Sequence, residues 1–506
     1  MGRGSSRPSR GGLVAFAPYF DRAAVAAAQV VNGFREAEFR RLLEERTVGV
    51  AVGVGAASVE GRALVDLLVR LLARLYPRLA IVGDGATDLH ALALRINPQL
   101  EFATEADVGV VVGSAETPFA TSVYAGSNGW SACVSTTTPQ TVGDSPLAFG
   151  AGAAACLAAA NVFRRLFVDS DAADMEVAFS TYSGDVDDAA GRLISAPIDL
   201  TLVGLGAVGH GAVWALARAP LEGKIRLVDH EDIELSNLQR YILAELDDVD
   251  AAKTSIAARG LASSPLTVEE HASRFASFVA AGTEHRPSAV AVALDSARDR
   301  RQVQASLPRL VFNAWTQPGD FGVSVHGRFG GDGACLSCLY LPTDQQANED
   351  QIVAQALGVP ERQLQVRLLL ADGAPAPVEL LEAIAQALGI ESEIVAAWNS
   401  VPLRDLYARG LCGGELVLLE RLGAPRAEVH VPLAHQSALA GVILAAQVAR
   451  FGTEAPPELT DIVRLNVMRP VGVALRQKHA ADSTGRCICR DVDFVEVYEA
   501  NTIAAG

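Results

Sequence analysis

One stretch of the chain, residues 200–229, restricts the possible fold more than any other. An apolar run at Leu200–Val203 leads into a turn and then into residues with the apolar spacing of a helix, and a second apolar run, Ile225–Val228, ends at Asp229. The turn contains three glycines, Gly204, Gly206 and Gly209. This order predicts a strand, a glycine turn, a helix and a second strand, the βαβ unit of nucleotide-binding proteins. Glycines let the backbone approach a phosphate at the helix N-terminus, where unpaired N–H groups favour an anion.

The residues that follow Asp229 favour a triphosphate over a dinucleotide. A dinucleotide site needs an acid for the ribose, whereas this segment adds an amide, a guanidinium and an ammonium group, which suit phosphates. These groups belong to Asn237, Arg240 and Lys253. The chain has three lysines, Lys224, Lys253 and Lys478, against 39 arginines. A lysine at this place therefore indicates that a compact positive charge is wanted.

The same segment resembles a known family of adenylating enzymes. A G-x-G-x-x-G turn, an acid-x-acid pair, the sequence Ser236-Asn-Leu-Gln-Arg240 and a downstream lysine are typical of ubiquitin-activating enzymes and their bacterial relatives in thiamine and molybdopterin biosynthesis, the ThiF/MoeB superfamily. The resemblance implies that the three glycines line ATP and that Asp229 and Glu231 hold the ribose side. It also implies which residues face the phosphates, namely Asn237, Arg240 and Lys253. Glu231 stands where the family usually has aspartate.

A further acid, Asp295, follows the apolar run Ala289–Leu294. The resemblance implies that this carboxylate binds Mg²⁺ beside the α-phosphate of ATP. An aspartate in such a place is also a common helix N-cap, and one residue can serve both purposes.

Length, composition and charge limit the remaining possibilities. A chain of 506 residues with 50% apolar and 6% aromatic residues predicts two to four domains built from α/β layers. The net charge of −17 argues against nucleic acid as a partner, because such a partner requires a basic surface. No apolar stretch reaches the length of about 18 residues that predicts a membrane span. Residues 1–18 are basic, small and polar, and we interpret them as a disordered tail. We expect a cytoplasmic protein.

The first third of the chain resembles a degenerate copy of the middle. Leu79–Leu89 repeats the plan of Leu200–His210, with Asp88 in the place of the third glycine after Gly83 and Gly85. Two further segments repeat in the same order: Val108–Gly113 resembles Ala289–Asp295, and the Pro-Leu-Ala sequence at 146–148 resembles that at 432–434. No lysine precedes Lys224, so the first copy lacks phosphate-binding charges. The alternative is that any two Rossmann-like domains share such units.

We therefore predict an α/β fold with two Rossmann-like adenylation domains that pair within one chain. The N-terminal domain, residues 19–195, would be degenerate, and the active domain would comprise residues 196–342 and 431–506. Ubiquitin-activating enzymes have this arrangement, and in them the inactive half lends an arginine to the ATP phosphates. Arg35, Arg40 and Arg41 are candidates for that arginine, and the sequence does not choose among them. A monomeric pseudo-dimer is expected.

Four cysteines in two close pairs predict a structural zinc site. They are Cys335, Cys338, Cys487 and Cys489. Four thiolates brought together across a fold form the tetrahedral site that Zn²⁺ prefers. The resemblance implies zinc in the same places, although the family commonly has two C-x-x-C pairs. A redox C-x-x-C is the alternative, but that motif normally opens a helix of a thioredoxin-like unit.

An insertion between the two parts of the active domain, residues 343–430, is predicted to be helical and to contain Cys412. Two glycines follow this cysteine, which would leave its sulfur accessible, and Arg409 would favour the thiolate. From these residues alone, a buried cysteine before a helix stop is equally compatible. Resemblance to ubiquitin-activating enzymes implies that Cys412 forms the thioester, with Cys335 as the second candidate if zinc is absent. Cys133 and Cys156 are interpreted as core thiols.

Together with these features, the resemblance implies a two-step activation. ATP and Mg²⁺ would bind to the active domain, where the C-terminal glycine of a ubiquitin-like protein is adenylated. Cys412 would then take the acyl group as a thioester and pass it to a conjugating-enzyme-like partner. The resemblance points to bacterial ubiquitin-like conjugation operons, some of them implicated in antiphage defence. A sulfur-carrier or peptide-modifying adenylase without a lasting thioester, and an inactive binding scaffold, are the alternatives.

Overall fold

The protein is described here by a computed structural model. It covers residues 17–31, 33–168, 176–184, 193, 197–282, 287–317, 320–327, 329–341, 349–396, 398–407, 431–453, 461–469 and 475–504. Most of the predicted N-terminal tail, together with Arg409 and Cys412, lies outside these ranges. Within them, no helix combines the length and the apolar character that crossing a membrane requires.

The first half of the chain forms a mainly parallel sheet. Its described strands are β1 (Val48–Val52), β2 (Arg78–Gly83), β3 (Glu101–Phe102), β4 (Ala106–Val112), β5 (Phe119–Asn128), β6 (Ser131–Ser135) and β7 (Glu176–Ser180). Its helices are α1 (Phe20–Ala28), α2 (Glu36–Glu45), α3 (Val59–Leu72), α4 (Ala86–Ile96) and α5 (Phe149–Phe167). The sheet order is β3-β2-β1-β4-β5-β6-β7. Pairing is parallel from β3 to β5 and antiparallel from β5 to β7.

The second half forms a sheet of the same plan. Its described strands are β8 (Ile198–Val203), β9 (Gly223–Asp229), β10 (Leu266–Ala272), β11 (Ala289–Val292), β12 (Leu310–Gln317), β13 (Asp320–Gly327), β14 (Asp461–Asn466) and β15 (Leu475–Lys478). Helices α6 (Ala207–Leu216), α7 (Lys253–Leu261), α8 (Phe275–Ala281) and α9 (Ala297–Ala305) connect the parallel strands. The sheet order is β10-β9-β8-β11-β12-β13-β14-β15.

Each of the seven strands of the first sheet has a counterpart at the same place in the second sheet, to which β15 adds an eighth strand. This match confirms the prediction of two Rossmann-like α/β units. In each sheet the first strand in sequence is central, parallel strands follow on both sides, and an antiparallel edge completes the layer. The predicted equivalence of Val108–Gly113 with Ala289–Asp295 agrees with this order, because β4 and β11 hold the same position. The long helix after each Pro-Leu-Ala sequence also recurs, as α5 and as α15 (Ala434–Arg450).

One predicted equivalence is wrong. Leu79–Leu89 covers β2 and the start of α4, so it corresponds to β9 and not to β8. The counterpart of the Gly204 turn is instead the turn after β1, Gly53–Ser58. Both first-half segments are apolar strands followed by two glycines. Periodicity identifies a buried strand but does not reveal which strand is central.

A continuous core runs through both halves. Helix α6 is buried along its whole length, and nearly all of α5 and α15 is buried as well. These helices are rich in alanine and glycine, which permits close approach of their backbones. A Cβ atom on Gly441 of α15 would lie only 2.2 Å from the carbonyl oxygen of Val208 in α6. A Cβ atom on Gly211 would lie 2.7 Å from the carbonyl oxygen of Ala438. Those two contacts lie within the second half, whereas a Cβ atom on Gly152 of α5, in the first half, would lie 2.6 Å from the Trp214 ring of α6. The helix that starts at the glycine turn is therefore also an interface helix.

The insertion forms a small helical layer with its own core. Its described helices are α10 (Glu349–Ala356), α11 (Gln363–Asp372), α12 (Val378–Leu388), α13 (Ser392–Ala396) and α14 (Leu403–Asp405). The predicted loop 372–377 separates α11 from α12, and Gly373 ends α11 with a φ of 63°. Leu357, Leu380 and Ile384 are among the residues of a hydrophobic cluster confined to this layer. The C-terminal helix α16 (Val492–Ala504) follows the second cysteine pair.

Substituting Gly441 tests the close helix contact. Gly441→Ala should destabilise the protein by about 2 kcal/mol or more, because the added methyl group meets the backbone of α6. Alanine is otherwise the better helix former by about 1 kcal/mol, so the expected sign is opposite to intrinsic propensity. Urea unfolding measures the change. The control Glu382→Ala, at an exposed position of α12, should change stability by less than about 0.5 kcal/mol. A stable Gly441→Ala protein would contradict the contact.

Candidate nucleotide and metal sites

The glycine turn packs too closely for larger residues at two of its three glycines. Gly204 has a φ of 89°, and a Cβ atom there would lie 2.6 Å from the carbonyl oxygen of Ala293. Gly209 lies in the first turn of α6, where a Cβ atom would lie 2.3 Å from the carbonyl oxygen of Gly204. Gly206 is the N-cap of α6, with the Tyr241 hydroxyl 3.3 Å from its Cβ position. The turn thus presents the N-terminus of α6 at the carboxyl edge of the sheet.

Asp229 stabilises this turn through hydrogen bonds. It ends β9, the neighbour of β8, and its Oδ2 accepts a hydrogen bond of 2.7 Å from the Leu205 backbone N–H. Its Oδ1 accepts a hydrogen bond of 3.0 Å from the Glu231 N–H. The carboxylate therefore fixes both the glycine turn and the start of the segment that leads to Arg240. Its predicted contact with a ribose stays a prediction.

Lys253 and Glu231 form an ion pair inside the site. The Lys253 Nζ lies 2.5 Å from Glu231 Oε2, and the lysine side chain is only 6% exposed whereas the glutamate is 57% exposed. Nζ also lies 5.2 Å from the centre of the Tyr241 ring. Burial opposes the charge, but Tyr241, Glu231 and Asp229 together raise the pKa of Lys253 above its usual value. The ammonium group is therefore retained, as phosphate binding requires.

Arg240 is the C-cap of a 3₁₀ turn, Leu235–Gln239, in the segment that follows the carboxyl end of β9. Its Nη1 atom is buried and has no hydrogen-bond partner among the described residues. A buried cationic donor without a partner is costly, so this atom fits an anionic ligand. Asn237 has a local role in the same turn, since its Oδ1 accepts a hydrogen bond of 3.1 Å from the Glu234 N–H. A contact of Asn237 with phosphate stays a prediction.

Asp295 shares the electrostatic surroundings of these residues. Its side chain is open to solvent, yet desolvation by the surrounding protein and the nearby Glu231 raise the pKa of its carboxyl group, although Lys253 and Arg240 oppose this shift. Ser296, and not Asp295, caps α9, because the Ser296 Oγ accepts a hydrogen bond from the Asp299 N–H. The capping interpretation of Asp295 is therefore wrong. A carboxylate whose charge is disfavoured in the free protein suits a cation as partner.

The four predicted zinc ligands come together. Sulfur–sulfur distances are 3.8 Å for Cys335–Cys338, 3.5 Å for Cys335–Cys487, 3.4 Å for Cys338–Cys487 and 3.5 Å for Cys338–Cys489. All four sulfurs lie within 4.8 Å of one another. A tetrahedron with Zn–S bonds of about 2.3 Å has sulfurs about 3.8 Å apart, so this arrangement fits one Zn²⁺. Cys335 opens a short 3₁₀ segment, Leu336–Tyr340, rather than a thioredoxin-like helix.

The three arginines proposed to cross from the first half all have acidic partners within that half. Arg35 pairs with Glu38. Arg40 pairs with Glu36 and Asp21, and Arg41 pairs with Glu45. These surface pairs do not select a residue for the phosphates. Cys412, the predicted thioester cysteine, lies outside the described residues.

Sequence reasoning missed the residues that hold the Arg240 segment from behind. Arg74 belongs to the first half, is 1% exposed, and donates hydrogen bonds of 2.9 Å and 2.8 Å to the carbonyl oxygens of Tyr241 and Ala244. Tyr241 contributes the ring beside Lys253. Neither residue belongs to a short motif, and contacts between positions more than 160 residues apart leave no local signal.

Comparison with known proteins agrees with this geometry. Residues 194–470, more than half of the chain, match the model of the ThiF family. The chain belongs to the ThiF family. Like the family's adenylating enzymes, it is an adenylyltransferase that uses ATP to activate a substrate. Residues 52–168 also match a family model described as Prokaryotic E2 family C, although here they form part of a Rossmann-like sheet.

A curated relative is similar along nearly its whole length. The uncharacterized protein y4jF of Sinorhizobium fredii is 43% identical over 504 residues, which cover 96% of this chain and 97% of that protein. Among solved structures, Escherichia coli MccB with an MccA variant is 15% identical, with a TM-score of 0.36 over 58% of this chain and 67% of that one. MccB with ATP gives 15% identity and a TM-score of 0.34 over 58% and 66%.

Metal analysis tests the cysteine cluster. The purified protein should contain about one zinc per chain, as measured by plasma mass spectrometry. Cys338→Ser and Cys489→Ser should each lose most of the metal, because an oxygen ligand replaces a thiolate. Cys156→Ser alters a buried thiol of the first half and should retain it. Equal zinc content in all of these proteins would show that the four cysteines do not bind it.

A pair of lysine variants tests the phosphate site. Lys253→Met should lower ATP–pyrophosphate exchange at least about 100-fold, since a buried charge directed at phosphates is lost. Lys224→Met removes another of the three lysines, one that pairs with Glu269 on the surface, and should exchange at the wild-type rate. Isotope exchange with labelled pyrophosphate measures both rates. Wild-type exchange by Lys253→Met would refute the assignment of this lysine.

Proposed function

We propose that this protein activates the C-terminal carboxylate of a ubiquitin-like protein and hands it on through an enzyme thioester. The observation that carries the proposal is the unpaired, buried Nη1 of Arg240 beside Lys253 and Asp295 at the glycine turn. This arrangement offers two cationic groups and a helix N-terminus to an anion, and one carboxylate to a cation. It fits ATP bound together with Mg²⁺.

In the first step a carboxylate oxygen of the substrate attacks the α-phosphorus of ATP. A phosphorus–oxygen bond forms, the bond to the β-phosphate oxygen breaks, and pyrophosphate leaves. Arg240 and Lys253 would donate hydrogen bonds to phosphate oxygens, so that they stabilise charge on the departing pyrophosphate. Asp295 would hold Mg²⁺, which supplies further charge stabilisation when bound. The product is an acyl-adenylate.

In the second step the Cys412 thiolate attacks the acyl carbon and AMP leaves. Charge stays balanced because the thiol proton passes to solvent before attack. The assignment of Cys412 rests on its sequence surroundings and on the resemblance to ubiquitin-activating enzymes. The two cysteines of the first half are poorer nucleophiles, since burial raises the pKa of both Cys133 and Cys156. The acyl group would therefore pass to a cysteine of a separate conjugating-enzyme-like protein.

The match of residues 52–168 to a Prokaryotic E2 family C model supports a role near a conjugating enzyme. These residues form part of the first sheet and of α5, which shares one hydrophobic core with the adenylating half. We propose that they act as a structural half of an internal pseudo-dimer, and that the conjugating enzyme is a second protein. Bacterial antiphage defence is a setting in which such a pathway would operate.

A gel assay tests the thioester. The protein should be incubated with ATP, Mg²⁺ and each ubiquitin-like protein with a C-terminal glycine that is encoded beside its gene. We expect an adduct on a nonreducing gel that disappears with thiol and is absent for Cys412→Ala. Cys133→Ala, the matched change at a half-buried thiol, should retain it.

Other outcomes of the same assay identify the alternatives. Pyrophosphate exchange without an adduct would contradict the thioester and favour a peptide-modifying or sulfur-carrier adenylase. An adduct that persists in Cys412→Ala would place the thioester on another cysteine. Absence of both exchange and adduct with every candidate would overturn the proposed function.

A further inference from the structure

A chain of buried polar side chains joins the cysteine cluster to the loop that carries Asp295. Its members are Arg300 on α9, Asn313 on β12, and Ser324 and His326 on β13. They are 3%, 0%, 1% and 4% exposed, respectively. Such groups are costly to bury unless their hydrogen bonds are satisfied, so the pattern of their bonds is informative.

One end of this series of hydrogen bonds reaches the backbone of Ala334, the residue that precedes the first cysteine of the cluster. His326 Nδ1 lies 2.7 Å from the carbonyl oxygen of Ala334, the residue before Cys335. A carbonyl oxygen only accepts, so Nδ1 carries the proton and donates. Burial lowers the pKa of His326 to about 4, so the ring is neutral and its Nε2 accepts. The Ser324 hydroxyl, 2.8 Å away, therefore donates to Nε2.

The other end touches the Asp295 loop. Ser324 Oγ accepts a hydrogen bond of 3.2 Å from Asn313 Nδ2, which leaves the Asn313 Oδ1 to accept from Arg300 Nη1. A guanidinium only donates, so the orientation of the amide is fixed. Arg300 Nη2 donates to the carbonyl oxygen of Leu294, the residue before Asp295. From Arg300 to Ala334 every donor points the same way, and such chains strengthen cooperatively.

A second link runs beside the first. Gln304, one helical turn after Arg300 on α9, accepts a hydrogen bond of 2.8 Å through its Oε1 from the Leu336 N–H, between Cys335 and Cys338. Helix α9 is thus fixed at one end to the Asp295 loop and at the other to the first cysteine pair. Helix α9 therefore contacts both places through hydrogen bonds of buried side chains.

We propose that Arg300, Asn313, Ser324 and His326 are positioning residues that couple metal binding at the four cysteines to the placement of Asp295. The proposal deepens the proposed function, because it rests on Asp295 as the magnesium-binding carboxylate. A metal ion at the four cysteines fixes the position of Ala334. The hydrogen-bonded side chains from His326 to Arg300 then fix the carbonyl group of Leu294, so that Asp295 stays where a cation can bind. Loss of the metal, or of one link, loosens Asp295 without removing a group that touches ATP.

Ser324→Ala removes one link of this series of hydrogen bonds, far from the proposed nucleotide site. We expect the Mg²⁺ concentration for half-maximal pyrophosphate exchange to rise at least about five-fold, the lower end of usual coupling between sites, with little change in the KM for ATP measured at saturating Mg²⁺. Ser324→Thr keeps the hydroxyl and should restore the wild-type value. Ser135→Ala removes an equally buried hydroxyl in the first half and should lower the melting temperature similarly without changing the Mg²⁺ requirement.

Hydrogen exchange supplies a readout that does not depend on activity. In the wild type, removal of zinc with a chelator should accelerate amide exchange in residues 293–297. Ser324→Ala should show that acceleration before chelation and little more after it. The coupling would be overturned if Ser324→Ala had both the wild-type Mg²⁺ dependence of pyrophosphate exchange and the wild-type rate of amide exchange. It would also be overturned if chelation accelerated amide exchange in that variant as much as in the wild type. If the wild type has no Mg²⁺-dependent exchange of pyrophosphate, the proposed function fails, whereas the amide data still decide the coupling.

Discussion

Close packing of the small-residue helices α5, α6 and α15 is the constraint on which the rest of this structure depends. Gly441 and Gly211 allow α6 and α15 to approach until a single added carbon would collide with backbone. Gly152 of α5 likewise accommodates the Trp214 ring of α6. Because α6 also begins at the glycine turn, the N-terminus that would face a phosphate is held by the interface between the halves. The two sheets therefore form one hydrophobic core, and the first half acts as part of the site's scaffold.

The first half has a buried acidic side chain on α3, the helix that corresponds to α6. In the first turn of α3, Glu60 is fully buried and accepts hydrogen bonds from Ser127 Oγ and from the backbone N–H groups of Gly129 and Ser145. A carboxylate near a helix N-terminus is favoured by the helix dipole, and here it ties α3 to the loops that follow β5 and β6. The first turn of α3 is therefore held by hydrogen bonds within the first half. The first half also supports the second half structurally, since Arg74 donates hydrogen bonds to the carbonyl oxygens of Tyr241 and Ala244.

The sequence predicts secondary-structure elements and short motifs, but it does not predict which side chains from distant positions come into contact. The order of strands and helices around Gly204, Asp229 and Asp295 follows from apolar runs and turn residues. The two close cysteine pairs predict one shared site, because four cysteine thiolates are typical ligands of a structural zinc ion. The central strand of the first half was misassigned, since β1 and β2 are both apolar and both precede glycines. The Tyr241 ring and the chain from Arg300 to His326 had no sequence signal. Their side chains meet only after strands β12 and β13 pair.

The charges of the ligand-free site indicate which ligands would bind to it together. Lys253 is already paired with Glu231, so a lone nucleotide anion competes with a carboxylate for this ammonium group. Glu231 also disfavours the charged form of Asp295, and a cation at Asp295 would relieve that repulsion. In the proposed function, an anion bound at Arg240 and Lys253 and a cation bound at Asp295 would therefore help each other bind. In the proposed reaction this cooperation would favour ATP as its magnesium complex over either ligand alone.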